Sequence, residues 1–197
     1  MADTGHTRVA ILDDVLVTAS VLTTFDFTVI GNATTTAVNG TTTTRGASST
    51  TIPFGTLTAG DLETLAQDLT VETNAINGFV VTVQEDQHLL SSTGADIDNF
   101  RDGTNSVTPQ AWFDPSNTIS DERTWGHWGV TTEDTDTTRT AEFGSNQWLG
   151  VSTTPQVLFS HTGPADGFTP GIGSTTVGYQ VEITALQEAG DDYNTRL

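Results

Sequence analysis

The chain has 197 residues, of which 25 are acidic and six are basic, so its formal net charge at pH 7 is −19. A surface this acidic repels phosphate backbones and anionic lipids, which disfavours binding to nucleic acids and membrane surfaces. The absence of cysteine excludes disulfide bonds and thiolate chemistry, and no apolar run is long enough to span a membrane, so no membrane insertion is expected.

The first 30 residues carry runs in which apolar side chains alternate with polar ones. Alternation with a period of two is typical of a strand with one buried face, so residues 1–30 are predicted to form one or two N-terminal strands. The apolar members are Val15, Val17, Ala19, Val21, Phe25, Phe27 and Val29. Residues 31–51 are rich in Thr, Ser and Gly and predict either a flexible loop or an exposed, weakly hydrophobic ribbon. Two N-x-T sequons, at Asn32 and Asn39, lie in this loop; they mark either glycosylation sites or chance matches in a Thr-rich segment.

Residues 52–197 are predicted to form one β domain. Alternation predicts strands around Val71, after Phe79, and over 155–161 and 177–183. The Asn-Gly step before Phe79 is typical of a hairpin turn. Many short strands separated by Gly, Pro and Asn turns are typical of an all-β antiparallel sandwich, either Ig-like or jelly-roll-like.

Three segments of this domain lack the strand pattern, two short ones and one long one. Residues 59–67 and 185–189 are the segments that could form a helical turn or two, although neither sustains a helical period. Residues 88–148, approximately, read as a long irregular insertion rich in Asp, Gly, Pro, Asn and aromatic residues.

An acidic loop within the insertion is the first candidate site. Asp96, Asp98 and Asp102 precede Gly103, and flexible loops rich in Asp and Asn supply the oxygen ligands that Ca²⁺ prefers. The spacing departs from the EF-hand pattern. The alternatives are therefore a calcium site or a solvated loop in which Arg101 pairs with an aspartate; no other cofactor is expected.

The tryptophans of the insertion are the second candidate site. Exposed aromatic rings beside Asp, Asn and Gln are suited to stacking on sugars, which makes Trp112, Trp125 and Trp128 candidate ligand-binding residues. Alternatively, these rings build a small core over one end of the sheet. Strict alternation would place Trp125 and Trp128 on opposite faces, so only part of the set could line one groove.

No motif in the sequence indicates an enzyme. The four histidines are isolated from one another, and no nucleophile elbow, zinc-protease motif or phosphate-binding loop is present. Carboxylate pairs occur in any chain with this many acidic residues and do not indicate a glycosidase. We therefore expect a protein that binds or assembles and does not catalyse.

Two segments of the chain resemble secreted bacterial β-sandwich surface proteins similar to WxL-type cell-surface domains. The first comprises 53–57, 69–75 and 78–83, and the second comprises 177–183 and 189–193. The W-x-L motif itself is absent. The resemblance implies a sandwich displayed outside the cell or at its surface, with a role in binding or assembly.

The two ends of the chain suggest how copies could assemble. The resemblance implies that the last strand opens near Tyr193, so the chain would stop a few residues into it and leave a sheet edge open to strand addition. The N-terminal run would supply the missing strand to a neighbouring copy, or else serve as the first strand of its own domain. Its candidate self-assembly residues are Val9, Ile11, Val15, Val17, Ala19 and Val21.

The function expected from these features is that of an extracellular structural protein. The chain would be a self-assembling subunit of a filament, a surface layer or an appendage, with itself as its main partner. The 40 threonines and the lack of lysine fit a surface-exposed protein. The alternative is a monomeric module that binds carbohydrate or adheres to surface glycans through its tryptophans.

Overall fold

The computed structural model describes residues 1, 18–104, 108–135 and 143–197. This part of the chain is all-β, as predicted: it contains no α-helix, and its one helical element is a 3-10 turn at Glu122–Thr124. Its strands are β1 (Phe25–Gly31), β2 (Ala37–Val38), β3 (Thr41–Thr42), β4 (Glu63–Thr73), β5 (Phe79–Val83), β6 (Leu89–Leu90), β7 (Asp96–Asn99), β8 (Gln110–Ala111), β9 (Gly126–Thr132), β10 (Gln147–Trp148), β11 (Gln156–His161), β12 (Ala165–Asp166) and β13 (Ser174–Ile183). Among the described residues, no helix is long and apolar enough to cross a membrane.

Seven of the strands form one curled sheet that makes about half of a barrel. The strand order is β1-β4-β13-β9-β7-β6, and β12 pairs with the end of β4. All pairs are antiparallel except β7 and β9, which run parallel. The sheet is therefore mixed, whereas the sequence pattern predicted purely antiparallel pairing.

Strand β4 occupies a place where the sequence allowed a helical turn. Residues 59–67 were one of the two helix candidates, yet β4 begins at Glu63 and runs for 11 residues. It lies between β1 and β13 and pairs with both, so tertiary pairing outweighs the weak helix preference of this segment. The other candidate, 185–189, contains only a turn.

Strand β9 is a central strand that lies within the segment predicted to be an irregular insertion. All seven of its residues are buried, because β13 and β7 flank it and other segments cover both of its faces. A strand buried on both faces need not alternate apolar and polar side chains. Its sequence, GHWGVTT, therefore carries no period-2 signal.

The two faces of the main sheet differ in what they contact. Cα partners on neighbouring strands point to the same face, so Tyr179 lies beside Leu65 and Val130, and Val181 lies beside Trp128. These side chains are all buried in the hydrophobic core, and we call this the cavity face. The opposite, outer face includes Gln180, Glu182 and His127, and polar and aromatic side chains cover it.

Smaller pairs of strands complete the structure. Strands β5 and β11 form a two-stranded sheet, and β8 pairs with β10. The segment predicted to be a Thr-rich loop contains a small hairpin of β2 and β3, which turns at Asn39 and Gly40, both with positive φ. From β5 and β11, Phe79 and Phe159 meet edge to face, 4.8 Å apart, in the core.

Candidate functional site

A cluster of one histidine and three carboxylates lies at the β6 edge of the main sheet. Strand β6 pairs with β7 so that Leu89 is opposite Ile97 and Leu90 is opposite Asp96. Continuing this register places His88 opposite Asp98. Because alternate residues of a strand share a face, His88, Asp96 and Asp98 all project to one side. Glu85, three residues before His88, completes the cluster, which we call the His88 cluster.

The distances within the His88 cluster show how closely its charged groups approach one another. His88 Nδ1 lies 3.4 Å from Asp96 Oδ2 and 3.3 Å from Asp98 Oδ1. On the other side of the ring, His88 Nε2 lies 4.0 Å from Glu85 Oε1. The aspartate contacts, that of Asp98 above all, raise the pKa of His88 to about 9, although partial burial opposes the shift.

Glu85 is the most buried carboxylate of the cluster. It is 2% exposed, and neither carboxylate oxygen makes a hydrogen bond of good geometry. Burial raises its pKa to about 7, and the nearby Asn99 amide and His88 only partly oppose this. Burial, together with the charge of Asp98, also raises the pKa of Asp96. The cluster therefore concentrates negative charge in a partly desolvated place.

The structure brings together two of the three residues predicted to bind calcium. Asp96 and Asp98 belong to the His88 cluster, whereas Asp102 turns toward His127, with Oδ1 3.2 Å from Nδ1, and binds the Ser116 hydroxyl. The predicted pairing of Arg101 with an aspartate does not appear among the described contacts: its guanidinium lies over the Phe113 ring and donates to Gln110. Asp102 therefore contacts a histidine where the calcium prediction placed an ion.

His127 is held at both ring nitrogens. Its Nε2 contacts the Phe113 carbonyl oxygen at 3.1 Å, and Nδ1 faces Asp102. Burial lowers the pKa of His127, and the Asp102 charge only partly opposes this. The Phe113 carbonyl oxygen contacts the ring nitrogen that would otherwise be available to a reactant. This His–Asp pair is therefore a structural contact on the outer face.

Aromatic rings from separate segments pack together above His127. Trp112 stacks on Phe100 at 4.8 Å between centroids and meets Trp148 edge to face at 5.6 Å. Trp112 Nε1 donates to Glu182 Oε2 at 2.8 Å, while burial raises the pKa of Glu182 and this hydrogen bond partly opposes the shift. Phe100 and Trp148 are fully buried, so these rings form a small core over the outer face.

The three candidate sugar-binding tryptophans do not share one surface. Trp128 is 2% exposed and points to the cavity face, so it presents no ring to the surface. Trp112 belongs to the aromatic cluster just described. Trp125 is half-buried and donates from Nε1 to the Thr118 carbonyl oxygen. Of the predicted ligand-binding set, Trp125 and part of Trp112 remain accessible.

A cavity of about 1240 Å³ lies within the curl of the sheet. Its walls are the cavity face, the segment around Phe54 and Leu57, and the C-terminal segment from Gln187 onward. In that C-terminal segment, Asn194 bridges to Leu90, and the Arg196 carbonyl accepts from the Asp86 N–H. The segment around Tyr193, predicted to begin the last strand of the domain, therefore runs beside residues 86–90 and forms one isolated β-bridge with them.

Strand β1 is the edge of the main sheet opposite β6. It pairs with β4 along its whole length, and within the described ranges no strand pairs with its other edge. Phe25, Phe27 and Val29 pair with Thr73, Val71 and Leu69 and so continue the cavity face. Phe25 is 60% and Phe27 42% exposed. Among the described residues, this edge therefore combines backbone groups that no strand pairs with and apolar side chains that remain exposed.

The segment that precedes β1 carries the residues predicted to mediate self-assembly. Val9, Ile11, Val15 and Val17 lie outside the described residues. Ala19 and Val21 are described and exposed, and the Asn74 side chain accepts from the Thr24 N–H and donates to the Leu22 carbonyl. The chain therefore enters β1 beside the turn at Asn74, with its apolar side chains uncovered.

Both asparagines of the N-x-T sequons use their side chains within the fold. Asn32 Nδ2 donates to Asp68 Oδ1 at 2.9 Å, and Asn39 Nδ2 donates to the Gly144 carbonyl oxygen at 3.0 Å and also to Thr131. A glycan replaces one of the two N–H groups of the amide, so it would remove at least one of the Asn39 hydrogen bonds and could leave the single Asn32 bond in place.

Sequence reasoning missed Glu85 and His88. The sequence signal that could have found His88 is the turn at residues 91–94, between Leu90 and Asp96. If this turn is taken as that of a β-hairpin, His88 lies opposite Asp98. Comparison of this chain with protein-family models, with curated proteins and with solved structures finds no match.

Proposed function

We propose that this protein is an extracellular structural subunit that assembles with copies of itself into a filament, a surface layer or an appendage. The observation that carries this proposal is the outer edge of β1, which no strand of the described residues pairs with, and on whose apolar side Phe25 and Phe27 are exposed. Open, apolar edge strands promote strand pairing with other chains, and proteins that must remain monomeric protect such edges.

The occupant of this edge in our proposal is the N-terminal segment of a second copy, residues 9–21. A strand added beside β1 would use the free backbone groups for hydrogen bonds and its alternate side chains for specificity. The segment has the required period of two at Val15, Val17, Ala19 and Val21, so one of its faces would cover Phe25 and Phe27. Donor-strand complementation between copies would therefore use both the outer edge of β1 and the alternating N-terminal segment.

The smaller β5–β11 sheet supports the sandwich architecture that accompanies this function. Phe79 and Phe159 from this sheet join the core cluster, together with Val71 and Val177 of the main sheet. Two sheets that share a core are the basic arrangement of a sandwich. We therefore retain, as part of the proposal, the resemblance to secreted bacterial surface domains and the location at the cell surface.

Adding charge to the β1 edge is expected to abolish assembly. The double substitution Phe25→Lys and Phe27→Lys places two charges where a neighbouring strand would pack. Removing each unpaired charge from water costs several kcal/mol. Size-exclusion chromatography and negative-stain microscopy measure the outcome: we expect loss of all high-mass species, as also on deletion of residues 2–22.

A matched control separates this effect from the change in net charge. Ile119→Lys with Phe168→Lys adds the same two charges at exposed apolar positions outside β1, 78% and 74% exposed, and is expected to leave assembly intact. Equal loss of assembly in the control, or unchanged assembly in the β1 variant, would refute strand addition at β1. Monomers of the wild type would indicate that residues 9–21 cover their own β1, or that the protein is a glycan-binding module using Trp125.

Assembly is also expected to increase with salt. Each copy carries a net charge of −19, and the screening length falls from about 30 Å at 0.01 M to about 3 Å at 1 M ionic strength. Repulsion between copies therefore weakens while strand pairing and apolar contact persist. Light scattering across a salt series measures the assembled fraction, and a fraction that falls as salt rises would contradict assembly through an apolar edge.

A further inference from the structure

We propose that His88, Asp96 and Asp98 bind a divalent transition-metal ion, with Zn²⁺ as the best fit, and that the buried Glu85 orients the His88 ring for this task. The site lies at the β6–β7 edge of the main sheet, and β1 forms the other edge of that sheet. It is independent of the assembly proposed above.

The spacing of the candidate ligands fits a small metal ion. Zn²⁺ takes imidazole nitrogen and carboxylate oxygen at about 2.0–2.2 Å in tetrahedral geometry, which places neighbouring ligand atoms about 3.3–3.5 Å apart. His88 Nδ1 lies 3.4 Å from Asp96 Oδ2 and 3.3 Å from Asp98 Oδ1. One atom from each of the three residues lies within 4.8 Å of the others. Pairing between β6 and β7 fixes these positions, so little reorganisation is needed.

Glu85 is the second, independent observation that points to an ion. Its side chain is almost fully buried, its two oxygens make no hydrogen bond of good geometry, and Oε1 faces His88 Nε2 at 4.0 Å. Histidines that bind metal through one nitrogen almost always donate the other N–H to a carboxylate or carbonyl, which fixes the ring. When Nδ1 binds the ion, Nε2–H faces Glu85, and a shift of about 1 Å would bring the two side chains within hydrogen-bond distance.

The ligand set selects the class of metal. Ca²⁺ takes six to eight oxygen ligands, whereas the structure supplies two aspartates and one imidazole. Imidazole nitrogen suits Zn²⁺ and neighbouring transition metals, and carboxylates bind them as well. His88 in place of Asp102 therefore changes the calcium site expected from the acidic loop into a transition-metal site. Asp98 is nearly buried, while the His88 side chain is 41% exposed, which leaves a route for the ion to enter.

Titration of the full chain with ZnCl₂ or CaCl₂ by calorimetry, after metal removal, tests the site. We expect one Zn²⁺ per chain, no comparable binding of Ca²⁺, and at least tenfold weaker zinc binding in His88→Gln and Asp96→Asn. Glu85→Gln is expected to weaken binding roughly tenfold, as loss of an outer hydrogen-bond partner does. His161→Gln on β11 and Asp26→Asn on β1, at the other edge of the main sheet, are the matched controls and should bind as the wild type does.

Two further readouts require no variant. Zinc at about 100 times its Kd is expected to raise Tm by roughly 5–10 °C over the chelated protein, and Co²⁺ in place of zinc should show the visible spectrum of a tetrahedral nitrogen and oxygen site. The proposal is overturned if zinc binds as tightly to His88→Gln as to the wild type, if Ca²⁺ competes equally, or if zinc leaves Tm unchanged.

Discussion

Replacing Trp148 by alanine is expected to lower the free energy of unfolding by about 3–5 kcal/mol, the usual cost of removing a large buried aromatic side chain. Trp148 has no exposed surface, packs against Trp112, and donates from Nε1 to Asn146 Oδ1 at 3.1 Å. Its loss would leave a cavity beside the Trp112 ring and remove the hydrogen bond to Asn146. For a domain of typical stability, about 5–15 kcal/mol, this is a large fraction.

Trp125→Ala is the matched control for this prediction. Trp125 is half-buried and lies at the start of β9, outside the stacked rings, so its truncation is expected to cost roughly 1 kcal/mol or less. Urea denaturation followed by circular dichroism measures both variants. If Trp125→Ala destabilised the protein as much as Trp148→Ala, the tryptophans would not divide into a small core and a surface residue.

Replacing Glu85 by glutamine is expected to stabilise the metal-free protein above pH 7 and to have little effect near pH 4.5. Burial raises the pKa of Glu85 from 4.5 to about 7, so between these values the folded protein holds a proton that the unfolded chain has released. Folding stability therefore falls as pH rises through this window. Since one pKa unit corresponds to about 1.4 kcal/mol, the rise from 4.5 to about 7 makes the expected gain in Glu85→Gln at pH 8, relative to pH 4.5, roughly 3 kcal/mol.

Urea denaturation in the presence of a chelator, at pH 4.5 and pH 8, measures this effect. The control is Glu72→Gln, because Glu72 is exposed on β4. His88, with a pKa raised to about 9, contributes stability below pH 6.5 that is lost as pH rises through 9, and this loss occurs in both proteins. A Glu85→Gln variant less stable than the wild type at pH 8 would show that the buried carboxylate is satisfied in the absence of metal.

The sequence predicted the strands in which apolar and polar side chains alternate and missed those in which they do not. β5 and β13 alternate, and both form where alternation placed them. β9 is buried on both faces and carries no such pattern, and β4 begins in a segment with weak helix preference that only its partners turn into a strand. A local pattern shows only how apolar and polar side chains are spaced along a segment. The burial of β9 and of the start of β4 depends on distant segments that this spacing does not reveal.

The candidate sites show the same limit. Asp96 and Asp98 stood out because they are close in sequence, but the residues that join them, Glu85 and His88, lie across a turn and needed the β6–β7 register. Asp102 is close in sequence to both and contacts a different histidine. The tryptophans were recognisable as a set from composition, whereas their separation between the cavity face and the outer face required the sheet.

The most direct test of the proposed function is negative-stain electron microscopy of the purified wild-type protein at moderate salt, together with its elution volume on size exclusion. The outer edge of β1, without a partner strand in the part of the chain that the structure describes, and the alternating N-terminal segment predict fibres, sheets or other high-mass assemblies. Dispersed particles of monomer size at all concentrations and salt conditions would contradict the proposal that this chain is a self-assembling subunit.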